Sequence, residues 1–193
     1  MLTAPFADAQ MQRDQAVTLY WGRWGDTRLL QVPQKLITGS MDYFEPQLVG
    51  VSYLQVLTED AGWLRYLGVG SVETEVMLIK HTRVQDHWEA DIALGLRSFP
   101  LIDQPWLGLN FQMGNGFSWA FDYPTFEKGP EGIRGENTRQ FQYHMNFEFE
   151  FSHPGLENLS FSTRLHHRSG IYGLISPRRT GSNYLGFGVR YGW

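Results

Sequence analysis

The stretch from Gln140 to Ser152, QFQYHMNFEFEFS, alternates without a break. Phe141, Tyr143, Met145, Phe147, Phe149 and Phe151 hold the odd positions; Gln140, Gln142, His144, Asn146, Glu148 and Glu150 hold the even ones. Successive side chains of a β-strand point to opposite faces, so this segment is a strand with one aromatic, apolar face and one polar face. Such a strand must bury its apolar face in a protein core or in lipid.

Two further segments repeat the rhythm. From Leu159 to Ser169 the odd positions are Leu159, Phe161, Thr163, Leu165, His167 and Ser169, set against Ser160, Ser162, Arg164, His166 and Arg168. From Asn183 to Trp193 they are Asn183, Leu185, Phe187, Val189, Tyr191 and Trp193, set against Tyr184, Gly186, Gly188, Arg190 and Gly192. Earlier candidate strands cover Val17–Trp24, Gln47–Leu57, Tyr66–Lys80, Gln85–Ser98 and Trp106–Met113. Gly114–Gly132, rich in Gly and Pro, reads as a bend and a loop, so Phe117 and Trp119 add no strand.

The three C-terminal strands have about the 9–11 residues that a tilted strand needs to cross a bilayer, and the earlier candidates bring the count to eight. The sequence contains no apolar run of about 18 residues, so no helix is expected to cross a membrane. In lipid the alternative that satisfies every backbone hydrogen bond is a closed barrel. The expected fold is all-β, an eight-stranded antiparallel up-and-down transmembrane β-barrel with its apolar face outward and a polar lumen. A barrel of this size fills its interior with side chains, which argues against a porin. Residues 1–16 are expected to be an N-terminal remnant or disordered terminus, and residues 17–193 a single barrel domain. Ala7-Asp8-Ala9 has the small-x-small form of a signal-peptidase site.

Composition fits this reading. The chain carries 13 Phe, 9 Tyr and 7 Trp, dense enough for interfacial girdles, and its final Tyr191-Gly192-Trp193 resembles the aromatic assembly signal of outer-membrane barrels. The acids and bases of the polar faces can pair inside a lumen. A net charge of -4 without a basic patch argues against nucleic acid as a partner. The absence of cysteine excludes disulfides and thiolate metal sites.

Two polar residues break the pattern of the apolar faces. His167 and Ser169 share the greasy phase of their strand, and Asn183 opens the last strand on the same phase. A hairpin through the intervening loop brings Asn183 near one of them. A serine, a histidine to take its proton and a third group to hold the imidazole form the arrangement for acyl transfer. On a face that meets lipid, the scissile bond should belong to a lipid.

The stretch HHRSGIYG followed by GSNYLGFGVRYGW resembles the C-terminal signature of the lipid A 3-O-deacylase (PagL) family, over about the last 30 residues. The resemblance implies an eight-stranded barrel in the bacterial outer membrane that hydrolyses the ester-linked acyl chain at the 3-position of lipid A. The implied machinery is a His-x-Ser pair and a carboxylate on the last strand, facing the membrane. Here His167-Arg168-Ser169 matches the pair, which makes Ser169 the nucleophile and His167 the general base. The carboxylate is replaced by Asn183, and the asparagine that follows the family's nucleophile is replaced by Gly170. The Gly170 N–H is then the remaining oxyanion donor at that position. This chemistry needs no cofactor. The expected partners are lipid A or lipopolysaccharide as substrate and membrane lipid, with a homodimer left open.

Two other functions compete. A catalytically silent structural or adhesive outer-membrane barrel accounts for the missing carboxylate, and a soluble barrel binding an apolar ligand accounts for the alternation alone. His166, on the lumen phase, is expected to pair with Glu148 or Glu150. Arg168, Arg178 and Arg179 are expected to be loop-end charges or contacts for lipid phosphates. Glu73, Glu75, Glu89, Asp91, His81 and His87 have no diagnostic metal-ligand spacing and are expected to be solvated or lumen-facing, so no metal is expected.

Overall fold

In a computed structural model the described residues are 13–59, 61–128, 133–177 and 180–193. Eight long strands form the wall: β1 (Gln15–Gly25), β2 (Tyr43–Thr58), β3 (Val69–Thr82), β4 (Trp88–Ser98), β6 (Leu107–Ala120), β7 (Phe141–Ser152), β8 (Leu159–Ser169) and β9 (Gly181–Gly192). The three-residue β5 (Ile102–Gln104) is a short arm paired with the start of β6. Each long strand pairs antiparallel with its neighbours in sequence, and β1 pairs with β9, which closes the barrel. A short helix α1 (Val32–Ile37) lies between β1 and β2.

All eight expected strands are present, with shifted ends. Tyr66 belongs to a 3-10 turn (Gly62–Leu67) that precedes β3, and β4 begins at Trp88 rather than Gln85. The largest difference is in β6, which continues through the supposed bend to Ala120. The glycines there are not turn residues. A Cβ at Gly116 would lie 1.8 Å from the Ile92 carbonyl oxygen, so Gly116 permits a close approach of β6 to β4.

The alternation resolves as the membrane reading requires. Gln142, His144, Asn146 and Glu148 are buried in the lumen, whereas Phe141 and Phe149 are exposed outside. The exposed belt includes Leu19, Val49, Val76, Leu78, Ile92, Leu94, Phe187 and Val189. Aromatic rims flank it, with Trp88, Trp119, Phe121 and Tyr123 at one end and Trp63, Tyr66, Trp106, Tyr191 and Trp193 at the other. The 11-residue β4 rises about 33 Å and, tilted by about 40°, covers about 25 Å of height, the thickness of an outer-membrane apolar band. Such a continuous apolar surface is unsuited to water. Among the described residues no helix is long and apolar enough to cross a membrane.

The lumen is packed with ion pairs. Arg164 lies 2.7 Å from both Glu75 and Glu148, Arg190 reaches Glu148 and Glu150 at 2.5 Å, and Arg97 reaches Glu73 and Glu150 at 2.5 Å. Facing this network is an aromatic and aliphatic cluster of Tyr20, Trp24, Leu48, Met77, Ile79 and Tyr184. The β6–β7 loop packs Phe126 against this cluster and sends Glu127 inward to Arg168, Gln142 and Ser182. Charge in this interior is held by partners rather than by water, so removing one partner is expensive.

Two expectations about lumen residues are corrected. His166 is paired with Glu89 at 2.9 Å, not with Glu148 or Glu150. The register explains it: His166 stands opposite Asn146, while Glu148 stands opposite Arg164 and is taken by that arginine. Arg168 is fully buried and paired with Glu127 and Glu89, so it is neither a loop-end charge nor a phosphate contact. The expected acids and histidines Glu73, Glu75, Glu89, Asp91, His81 and His87 are buried among the described residues. Arg178, Arg179 and the Ala7-Asp8-Ala9 stretch lie outside the described residues.

Candidate active site

The loops at one end of the barrel span 26–42, 83–87, 121–140 and 170–180; at the other end they span 59–68, 99–106 and 153–158. Outer-membrane barrels carry short turns on the periplasmic side and longer loops outside, which assigns the first end to the cell exterior. His167, Ser169 and Asn183 lie at this end, on β8 and the start of β9.

Strand pairing places Asn183 directly across from His167, and Ser169 across from Gly181. The Asn183 Oδ1 lies 2.6 Å from His167 Nδ1, and the Asn183 Nδ2 donates to the Thr27 carbonyl oxygen at 2.6 Å. A carbonyl can only accept, so Thr27 fixes which end of the amide is nitrogen. The amide oxygen must then face the ring, His167 Nδ1 must carry the hydrogen that it receives, and Nε2 is left as the basic nitrogen. That is the tautomer a general base requires. Although both side chains are on the outward phase, His167 is only 9% exposed and Asn183 7%, with the chain beyond β1 drawn against them through Thr27.

Ser169 is two residues from His167 on the same face. Its hydroxyl oxygen accepts from the Ile171 N–H at 3.2 Å and is not hydrogen-bonded to His167. The structure therefore joins two of the three expected residues and holds the third nearby without the serine–histidine bond. Catalytic hydrogen bonds are often long or unformed until substrate binds.

The backbone after Ser169 is unusual. Ile171, Tyr172 and Gly173 have φ of 44°, 53° and 101°. A β-branched residue at positive φ is an outlier, and each such residue stores about 1–3 kcal/mol, typically near functional sites. Gly170 also has a steric reason. A Cβ there would lie 2.3 Å from the Ser176 carbonyl oxygen and 2.6 Å from that of Pro177. The asparagine implied by the resemblance would not fit without moving this loop. The Gly170 carbonyl accepts from Gly173 and Ile175, and it is the Ile171 amide that meets the Ser169 oxygen.

The sequence reading missed Thr27. Its role is played by a backbone carbonyl 156 positions from its partner, which no side-chain pattern announces.

No protein-family model matches the sequence, and no curated protein matches it. Among solved structures, the outer membrane enzyme PagL superposes with a TM-score of 0.58 at 11% identity, covering 91% of this chain and 98% of that one. Neisserial surface protein A (NspA) superposes with a TM-score of 0.52 at 9% identity, covering 93% of this chain and 97% of that one. At such identities the likeness is one of fold, shared by an enzyme and a surface protein alike. The chain is a closed eight-stranded antiparallel β-barrel, greasy outside and charged within, with the fold of bacterial outer-membrane barrels.

Proposed function

We propose that the protein is an outer-membrane esterase that removes an ester-linked acyl chain from lipid A or a related glycolipid. The observation that carries this reading is the Thr27–Asn183–His167 relay, which sets a basic imidazole nitrogen on the lipid-facing side of the barrel, at the end with long loops. A polar relay there has no role in filling a lumen. The outer leaflet at this level is where lipid A resides, and the likeness to the outer membrane enzyme PagL agrees with such a role without deciding it.

In the proposed reaction the Ser169 oxygen attacks the ester carbonyl carbon and His167 Nε2 takes its proton. The tetrahedral intermediate expels the sugar oxygen, which receives that proton from His167. Water, deprotonated by the same nitrogen, then hydrolyses the acyl-serine and frees a fatty acid. Asn183 orients the imidazole as the amide does in Cys-His-Asn proteases, without adding charge. The Gly170 N–H supplies a donor for the oxyanion. Arg28 is exposed one residue from Thr27, suited to a lipid phosphate.

Mass spectrometry of lipid A from cells with the wild-type protein, with Ser169→Ala and without the protein tests this. Loss of one acyl chain only with the wild type is expected. An unchanged acyl pattern in all three overturns the enzyme reading.

A second reading, a catalytically silent structural or adhesive barrel, is favoured by one observation: the Ser169 oxygen is engaged by Ile171 rather than His167. Asn183→Glu separates the two. Esterase activity that appears only in this variant identifies a decayed site, whereas activity already present in the wild type identifies a working one.

A further inference from the structure

Inside the barrel, Asp91 of β4, His144 of β7 and His166 of β8 meet on the lumen side, well apart from the lipid-facing relay in phase and in partners. All three are buried. The Asp91 Oδ2 is 3.9 Å from His144 Nδ1 and 3.9 Å from His166 Nδ1, and the three donor atoms lie within 4.8 Å of one another. Both Asp91 oxygens, both His144 ring nitrogens and His166 Nδ1 are buried without a hydrogen-bond partner. Buried polar atoms are nearly always satisfied, so five orphaned atoms on three residues whose donor atoms lie within 4.8 Å of one another call for an occupant.

Charge says what kind. Glu73, Glu75, Glu89, Glu127, Glu148 and Glu150 each lie against an arginine. Among the described residues Asp91 has no arginine or lysine within salt-bridge distance, only the two imidazoles. An isolated carboxylate in such a place is costly unless a cation meets it. Tautomer adds to this. Glu89 accepts from His166 Nε2 at 2.9 Å, which leaves Nδ1 as a lone pair pointing toward the carboxylate. Lone pair facing lone pair is repulsive with nothing between them. A histidine whose far nitrogen is held by a carboxylate is also the usual support behind a metal ligand.

We propose that Asp91, His144 and His166 form a binding site for one divalent metal ion of the zinc class, which ties β4, β7 and β8 together inside the lumen. Two imidazoles and a carboxylate are the ligand set of many zinc sites. Metal–ligand bonds of about 2.0–2.1 Å place neighbouring tetrahedral donors about 3.3 Å apart. The two 3.9 Å separations from Asp91 need to contract by about half an ångström, and the two imidazole donors, within 4.8 Å of each other, by at most about 1.5 Å. The neighbouring group of His81, His87 and Glu89 is the weaker candidate, because His81 Nε2 and Glu89 already bond each other at 3.0 Å.

The full-length protein is refolded in detergent with ZnCl2, desalted and assayed for metal by inductively coupled plasma mass spectrometry. One zinc per chain is expected. Asp91→Asn, which keeps shape and removes charge, should retain at least tenfold less, as should His144→Gln; His87→Gln and Ser169→Ala should retain it all. A wild type that holds no zinc, an Asp91→Asn barrel that still holds one, or loss in His87→Gln overturns the assignment. Zinc K-edge absorption of the wild type provides a readout that depends on no variant folding: scattering from two imidazoles supports the site, and its absence refutes it. Zinc retention by an esterase-silent protein would separate this site's fate from that of the lipid-facing one.

Discussion

His166 and His167 are adjacent in the chain and occupy different solvents. His166 points inward and is held by Glu89 in a lumen where ion pairs recur strand after strand. His167 points outward and is held by one neutral amide, itself anchored by one carbonyl. The inner face of β8 is therefore redundant and rigid, and its outer face is sparse and directional. The lumen is built for stability, whereas the exterior pair defines a single ring orientation and little else.

The contrast can be broken most forcefully from the inside. Arg164→Met should strand Glu75, leave Glu148 with Arg190 alone, and cost about 3–5 kcal/mol, read as a lowered urea midpoint for the refolded barrel in detergent. An unchanged midpoint would mean that the lumen charges are not mutually dependent. On the outer face the expectation reverses. Ser169→Ala should leave the midpoint within about 0.5 kcal/mol, as an isolated substitution away from packing does, yet abolish acyl release from purified lipid A by about 10³-fold or more. Asn183→Leu should lower the same rate by about 10²–10⁴-fold by freeing the wrong tautomer, with a small change in stability. A fall in midpoint as large as that of Arg164→Met would instead make Asn183 a structural residue.

The smallest effect is one of pH. His87 lies in the turn 83–87 beyond the strands, stacked on His81 at 4.2 Å, and burial, with the neighbouring His81 next in weight, lowers its pKa to about 3. The folded chain keeps this ring neutral where the unfolded chain protonates it. Stability should therefore be full above about pH 6.5 and decline as the pH falls toward 3. His87→Gln should flatten part of that decline in a urea titration at pH 7 and pH 5.

The wall of the barrel was legible because lipid outside and charge inside both write a period of two, nowhere more clearly than in Phe141–Phe151. β6 was only half legible. Gly114 and Gly116 look like turn punctuation in sequence, while in the barrel they mark close approaches, of the Asn146 side chain to Gly114 and of β4's backbone to Gly116. Facing pairs across one hairpin could also be anticipated, as with His167 and Asn183. Partners reached across the lumen could not: the choice of Glu89 for His166 depends on registers and tilt that no local pattern encodes.

Thr27 follows the first strand, and Asn183 belongs to the last, so their bond bridges the seam where the two ends of the chain are sewn together. An unzipped precursor in transit to the outer membrane has no such bridge and leaves the imidazole free to spin. Any hydrolytic power this protein has would be switched on by the act of closure itself, sparing lipids met along the way.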